Sequence, residues 1–259
     1  MKAFEVLFLG TCACDFSPKL KTEFKDNFDF DARRSSSVLV NGKFLIDCGI
    51  HCMDSLRIAD VDISLITDIF VTHLHSDHYN PEHINLIAQG KRQPLRVWVR
   101  KDAILPEIPN TEVIHMDKHS EYEVSDGLKV ISLPANHDET VFPHHFMFKR
   151  QGKSFLYACD GAWFLHETYY ALRGANLSLA VLDCTCGDYE GDYRMGEHNS
   201  IPMIRLMMPS LKVWGTIGDD SAVYISHIAP SLHRCHKETE DILKEIGVKV
   251  AYDGLKLSV

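Results

Sequence analysis

Six consecutive residues, His73-Leu74-His75-Ser76-Asp77-His78, put three imidazoles and a carboxylate into one short stretch. Packing alone gives no reason for such a run, because burying it would leave several polar groups unpaired. A cation resolves the difficulty. Neutral imidazole nitrogens and an ionised carboxylate suit zinc, manganese or iron, and a run this dense can feed two ions about 3.5–4 Å apart, the separation found in two-metal hydrolytic sites.

The flanking sequence says what must hold the run in place. Ile66 to Thr72 is apolar and rich in β-branched residues, which predicts a buried strand ending at the first histidine. A helix start follows: Asn80 can cap it, Pro81 fits its first turn, Ile84, Leu86 and Ile87 give it an apolar side, and Gly90 closes it. The motif therefore occupies a strand-to-helix loop at the carboxyl end of a strand, where α/β folds place their ligands.

Further along, three hairpins are expected. Ser37 to Val40 and Lys43 to Asp47 flank Asn41-Gly42, a pair that accepts the positive φ angles of a type I′ turn; His145 to Arg150 and Lys153 to Ala158 flank Gln151-Gly152; Lys249 to Tyr252 and Leu255 to Val259 flank Asp253-Gly254. Helices are expected near His51 to Ala59, Trp163 to Arg173, Asn199 to Met208 and His236 to Ile246. Strands and helices alternate in groups, which predicts two packed sheets with helices on both outer faces. Thr11 to Arg34 fits neither period; it mixes Phe16, Phe24, Phe28 and Phe30 with acids and lysines and reads either as a long functional or interfacial loop or as an ordinary surface insertion.

Composition bounds the function classes. At 259 residues with ordinary apolar and charged fractions, residues 1–259 are expected to form a single domain, with no linker, repeat or low-complexity stretch dividing it. No apolar run reaches the roughly 20 residues that a membrane helix needs, and Met1 to Leu9 fits a first strand better than a secretory signal. A cytoplasmic protein with its eight cysteines reduced is the expectation. A net charge of −9 argues against a large nucleic-acid footprint and leaves room for a small phosphorylated substrate held by metals; a homodimer is compatible with all of this.

Other candidate ligands fall at strand ends. Asn136-His137 follows Lys129 to Leu133, Cys159-Asp160-Gly161 follows Phe155 to Ala158, and Ser226-His227 follows Ala222 to Ile225. Their order and context resemble the metallo-β-lactamase superfamily, from the first strand through Leu45-Ile46-Asp47-Cys48-Gly49 to Tyr252-Asp253-Gly254. That resemblance implies an α/β protein with a four-layer αββα sandwich, two mixed β-sheets flanked by helices. It also implies that His73, His75 and His137 hold one metal, that Asp77, His78 and His227 hold a second, and that Asp160 bridges both, with Asp47 supporting the histidines. Two divalent ions per chain would follow, zinc or manganese first and iron as a further option. An aspartate at the bridging place resembles the phosphodiesterase, glyoxalase and nuclease branches.

Leu133-Pro134-Ala135-Asn136-His137, Leu182-Asp183-Cys184, Glu197-His198-Asn199, Ile225-Ser226-His227-Ile228 and Ala251-Tyr252-Asp253-Gly254 look like the phosphoribosyl cyclic phosphate phosphodiesterases of the carbon–phosphorus lyase pathway. The implied reaction is hydrolysis of a small cyclic phosphodiester by attack of a metal-activated hydroxide, with Asp77 in the metal machinery and His198 as acid towards the leaving oxygen. His233 is the reserve candidate for that proton. The chain departs from these enzymes in one module: only Cys12 and Cys14 stand near the start, and Pro230 stands three residues after His227, so their structural zinc is not expected. Cys184-Thr185-Cys186 cannot close a tetrahedral site with two thiols. Alternatives to the phosphodiesterase are a transfer RNA 3′-processing-type endonuclease, a glyoxalase-type thioester hydrolase, and a metal-binding protein without catalysis.

Overall fold

The computed structural model describes residues 2–189 and 191–259. Met1, at the head of the expected first strand, lies outside the described residues. The strands form two seven-stranded sheets. The first contains β1 (Glu5–Gly10), β2 (Ser37–Val40), β3 (Phe44–Ile46), β4 (Asp68–Phe70), β5 (Leu95–Arg100) and β6 (Thr111–Met116). The second contains β7 (Glu121–Glu123), β8 (Lys129–Pro134), β9 (His144–Arg150), β10 (Lys153–Ala158), β11 (Leu177–Asp183), β12 (Ile217–Ser226) and β13 (Val248–Val250). A last strand, β14 (Lys256–Ser258), returns to the first sheet, giving the orders β14-β1-β2-β3-β4-β5-β6 and β13-β12-β11-β10-β9-β8-β7. Both sheets are mixed: β3 to β6 run parallel to their neighbours, as do β10 to β13, while β1 to β3 and β7 to β10 are antiparallel.

Period-2 alternation decides which side chains fill which layer. Phe44 and Ile46 of β3 point between the sheets, where they meet Phe70, Trp98, Phe146, Phe148, Phe155 and Tyr157, whereas Leu45 points outward. Burial of each large side chain here contributes about 1.5–3 kcal/mol. Outside the first sheet lie α1 (Cys52–Ile58) and α2 (Pro81–Ala88), burying Cys52, Leu56, Ile84 and Ile87 against Leu45, Ile69 and Val97. Outside the second lie α3 (His166–Ala171), α4 (Ile201–Val213) and α5 (His236–Leu243), with Ile201, Ile204, Met207 and Leu243 packed on Leu156, Leu182 and Ile225. The result is the expected α/β, four-layer αββα sandwich. Among the described residues no helix is long and apolar enough to cross a membrane.

Local signals explain most boundaries. Asn41 and Gly42 turn between β2 and β3 with φ of 52° and 71°, and Asn80 Oδ1 accepts from the N–H of Glu82 and His83 at 3.0 and 3.2 Å ahead of Pro81. Two expectations need correction. The helix expected from Asn199 to Met208 is capped by Ser200, whose Oγ accepts from Met203 N, and it continues through Pro209 to Val213. Asn199 instead ties its N–H to Asp183 Oδ1 and its Nδ2 to Gly161 O. The third hairpin does not exist: β13 pairs parallel to β12 in one sheet, and β14 pairs antiparallel to β1 in the other. A type I′ turn needs positive φ at both central residues, and at this link only Gly254 has it, at 90°. The link is fixed by Asp253, buried, which accepts from Thr11 Oγ1 at 2.8 Å and Arg34 N at 2.7 Å. Thr11 to Arg34 is largely irregular, with one 3-10 turn at Pro18–Lys21, and both of its ends are buried.

Candidate metal centre

All four ligand-bearing segments meet at one edge of the sandwich. The His73 to His78 run follows β4, His137 follows β8, Asp160 follows β10 and His227 follows β12, and these strands of the second sheet run in the same direction. Their carboxyl ends therefore share an edge. Backbone geometry at that edge is tight. Asp47, Asp160 and His227 have φ of 61°, 56° and 57°, left-handed conformations that cost side-chain-bearing residues of order 1–3 kcal/mol each. The 73–78 loop packs so closely on the end of β3 that a Cβ on Gly49 would stand 1.6 Å from Asp77 O, so only glycine fits there.

Two groups of nitrogen and oxygen atoms emerge. In the first, His75 Nδ1 lies 2.9 Å from His73 Nε2 and 3.3 Å from His137 Nε2. In the second, His78 Nε2 lies 3.3 Å from both His227 Nε2 and Asp77 Oδ2. Asp160 stands between them, with Oδ2 2.7 Å from His78 Nε2 and 3.1 Å from His227 Nε2. His73, His75 and His137 have donor atoms mutually within 4.8 Å, as do His73, His78 and Asp160, and Asp77, His78 and His227. Such groups could hold a metal ion.

The outward-facing nitrogens are already committed. His78 Nδ1–H donates to Asp47 Oδ2 at 2.8 Å, and Asp47 also accepts from the N–H and hydroxyl of Thr72. Thr72 Oγ1 in turn lies 3.1 Å from His73 Nδ1. His227 Nδ1 lies 2.7 Å from Thr185 Oγ1 and 3.3 Å from Asp183 Oδ2. With Nδ1 of His78 carrying its proton towards Asp47, Nε2 presents a lone pair to the cluster. Asp160 Oδ2 is accordingly buried without a hydrogen-bond partner, although imidazole nitrogens surround it. Lone pairs facing lone pairs at such distances are what a cation-binding donor set looks like, so the residues fit a metal.

Electrostatics give the same answer. Burial alone would lower His227, but Asp160 and Asp183 outweigh it and raise it to about 10. His78 also stands well above the ordinary value, because Asp160, Asp77 and Asp47 overcome its burial. Burial would raise Asp160, yet His227 and His78 hold it well below the usual carboxylate range. The edge demands positive charge, which divalent ions supply while leaving the imidazoles neutral.

His198 comes into the same group. Its Nδ1 is 2.9 Å from Asp183 Oδ2 and 3.1 Å from Thr185 Oγ1, and its ring stacks on His227 with centroids 5.3 Å apart. It borders a cavity of about 480 Å³ together with Asp77, His137, Asp160 and His227, and Cys14, Asp15, Tyr193 and Arg194 form part of the rim. His233, the reserve proton donor, does not face this cavity; its Nε2 donates to Cys184 O at 2.6 Å. Cys12 is buried beside Ile228, and Cys14 is exposed.

The sequence pattern assigns no task to Thr72, Asp183 or Thr185. Asp183 carried a detectable signal: like Asp47 after Leu45-Ile46, it ends an apolar strand, Leu179-Ala180-Val181-Leu182. The threonines carried none.

A family model described as "Anti-Pycsar protein Apyc1" matches residues 22–82. A Ribonuclease Z of Methanococcus maripaludis (strain S2) is 34% identical over 98 residues, which cover 36% of this chain and 28% of that protein. The chain spans less than half the length of the curated relatives it matches, 48% at most. Among solved structures, the metallo-β-lactamase fold protein YhfI from Bacillus subtilis superposes with a TM-score of 0.76 at 12% identity, covering 100% of both chains. A diphosphatase from the PhnP family superposes at 0.74 with 21% identity, covering 99% of this chain and 98% of that one. Two mixed sheets, helices on both outer faces and these superpositions together assign the chain the metallo-β-lactamase fold.

Proposed function

We propose that this chain is a metal-dependent phosphodiester hydrolase acting on a small cyclic phosphodiester, with two divalent ions at the strand-end cluster. His73, His75 and His137 would hold one ion, Asp77, His78 and His227 the other, and Asp160 both. The observation that carries the reading is Asp160 Oδ2, a buried oxygen without a hydrogen bond, 2.7 and 3.1 Å from two imidazole nitrogens whose rings are anchored from behind. When bound, the ions supply Lewis-acid stabilisation of phosphoryl charge and a nucleophile at neutral pH. Zinc and manganese suit the N/O donor set, and iron is compatible with it.

The chain's own residues handle the leaving group. Asp183 fixes the His198 ring through Nδ1 and leaves Nε2 to meet the departing oxygen. Burial alone would lower His198, but the Asp183 carboxylate outweighs it and raises its pKa, which keeps the proton on the ring for transfer. Cations near Asp160 would offset part of that rise. A five-membered cyclic phosphate on ribose is the specific substrate that the motifs around His137, Asp160, His198 and His227 favour.

A second reading, cleavage of an RNA, is favoured by the curated relatives named Ribonuclease Z. The net charge of −9 weighs against an extended RNA footprint. Protein purified without chelator and assayed on a cyclic ribose phosphate, precursor transfer RNA and a glutathione thioester separates the readings. The cyclic phosphate should be hydrolysed by protein carrying two metals per chain. Asp160→Asn should bind less metal and lose more than about 10²-fold in rate. Two metals and full activity in that variant would remove Asp160 from the site, and cleavage of the RNA alone would replace the substrate.

A further inference from the structure

On the other side of the His227 to Ser231 segment lies a second cavity, of about 280 Å³. Ile228 and Pro230 face it, while His227, Ala229 and Ser231 face the metal cluster. A volume at the small end of ligand pockets suits an ion or a very small molecule.

Its polar lining is specific. Arg33 is 3% exposed. Its Nη1 donates to Thr11 Oγ1 at 2.7 Å and Ala251 O at 2.6 Å, and its Nη2 donates to His236 Nδ1 at 2.9 Å. All three acceptors are neutral, and Asp253 is reached only through the Thr11 hydroxyl, 2.8 Å from Asp253 Oδ1. Of the five N–H donors of the guanidinium, Nε–H and one Nη2–H have no protein acceptor among the described residues. Arg234 adds a second cation at the rim, its Nε 3.2 Å from Asp188 Oδ2.

A carboxylate acceptor lines the same cavity. Asp31, exposed at the mouth, takes the His236 N–H on Oδ1 and keeps its other oxygen. An anion alone would satisfy Arg33 and Arg234 but be repelled by Asp31. The arrangement needs a ligand with anionic oxygens on one side and an O–H donor on the other.

We propose that this cavity binds inorganic hydrogen phosphate, with P–O⁻ oxygens towards Arg33 and Arg234 and its one P–OH towards Asp31, and that it rejects sulfate. Sulfate has the same shape but no proton at neutral pH, so it would leave the lone pairs opposed.

Equilibrium dialysis of the metal-loaded protein with labelled phosphate and labelled sulfate tests this at pH 7. The metals also attract phosphate, so the new site is identified as the class of binding that surface substitutions in this cavity alter. Arg33 is tied into the fold, whereas Arg234 and Asp31 are at the surface. Arg234→Gln should weaken that class about tenfold, and Asp31→Asn should reduce its preference for phosphate over sulfate about tenfold by replacing an acceptor with a group that can donate. Metal content should stay unchanged in both. Phosphate binding that neither substitution alters, or a site that takes sulfate as well as phosphate in the unsubstituted protein, would overturn the proposal.

Discussion

Asp47 in the first half of the chain and Asp183 in the second occupy matching places and do different work. Asp47 directly follows β3 and Asp183 is the last residue of β11; each is fully buried and each is paired with a threonine, Thr72 in one case and Thr185 in the other. Asp47 meets one imidazole, at His78 Nδ1. Asp183 meets two: His198 Nδ1 at 2.9 Å and His227 Nδ1 at 3.3 Å. The difference shows in their ionisation. Burial raises Asp47, and a single histidine does not compensate, whereas His198 and His227 overcome the burial of Asp183 and hold it below the usual carboxylate range. A carboxylate shared by two rings can anchor one to the cluster and still keep a proton on the other.

Substituting the second-half aspartate should have the larger effect on chemistry. Asp183→Asn and His198→Ala should each lose on the order of 10²–10⁴ in rate on alkyl or ribosyl phosphodiesters, whose alkoxides need a proton to leave. Bis(p-nitrophenyl) phosphate, whose phenolate leaves unaided, should suffer far less. If the two residues act as one unit, the double variant should be little worse than either single one. Equal losses on both substrates with full metal content would make His198 a substrate-positioning group instead.

Asp47→Asn should behave differently. It removes the anchor of His78 and one acceptor of Thr72, so metal affinity should fall about 10–100-fold, the usual consequence of losing a group that orients a metal-bound histidine. Activity at saturating metal should recover, with no discrimination between good and poor leaving groups. A leaving-group effect of the size expected for Asp183→Asn would erase the distinction between the two halves.

How far the sequence foretold this site divides along the same line. The first half was legible because its candidates are contiguous: three histidines and an aspartate in six residues, between a strand signal and a helix cap at Asn80. In the second half His137, Asp160 and His227 stand alone at strand ends, and single residues carry no spacing. They were found through the resemblance of their contexts, and the sheet topology then brought them together. Thr72 and Thr185 were invisible because a hydroxyl's task depends on which ring lies within 3 Å, which no local pattern encodes. The final hairpin failed for a related reason. Asp253-Gly254 between two short strands reads the same whether the strands pair with each other or part to different sheets, and the deciding contacts, to Thr11 and Arg34, lie more than 200 residues away in the chain.

Asp253 also supplies the smallest test of the comparison, as a buried carboxylate that faces no imidazole. Its hydrogen bonds come from a hydroxyl and a backbone N–H, and burial, only partly offset by Arg33, raises it from 3.8 to about 6. An acid with a higher pKa in the fold than in the unfolded chain holds its proton more tightly when folded. Its contribution to stability is therefore present below about pH 4, is lost as pH rises through about 6, and stays lost above that. The shift corresponds to at most about 3 kcal/mol. Asp253→Asn is uncharged throughout and lacks this window. Urea unfolding of both proteins at pH 4 and pH 7 should show the stability difference moving against the aspartate, by up to about 3 kcal/mol, as pH rises. A difference independent of pH would mean that Arg33, acting through Thr11, neutralises Asp253 as fully as His198 and His227 neutralise Asp183. In that case the number of facing imidazoles would not be what separates these buried carboxylates.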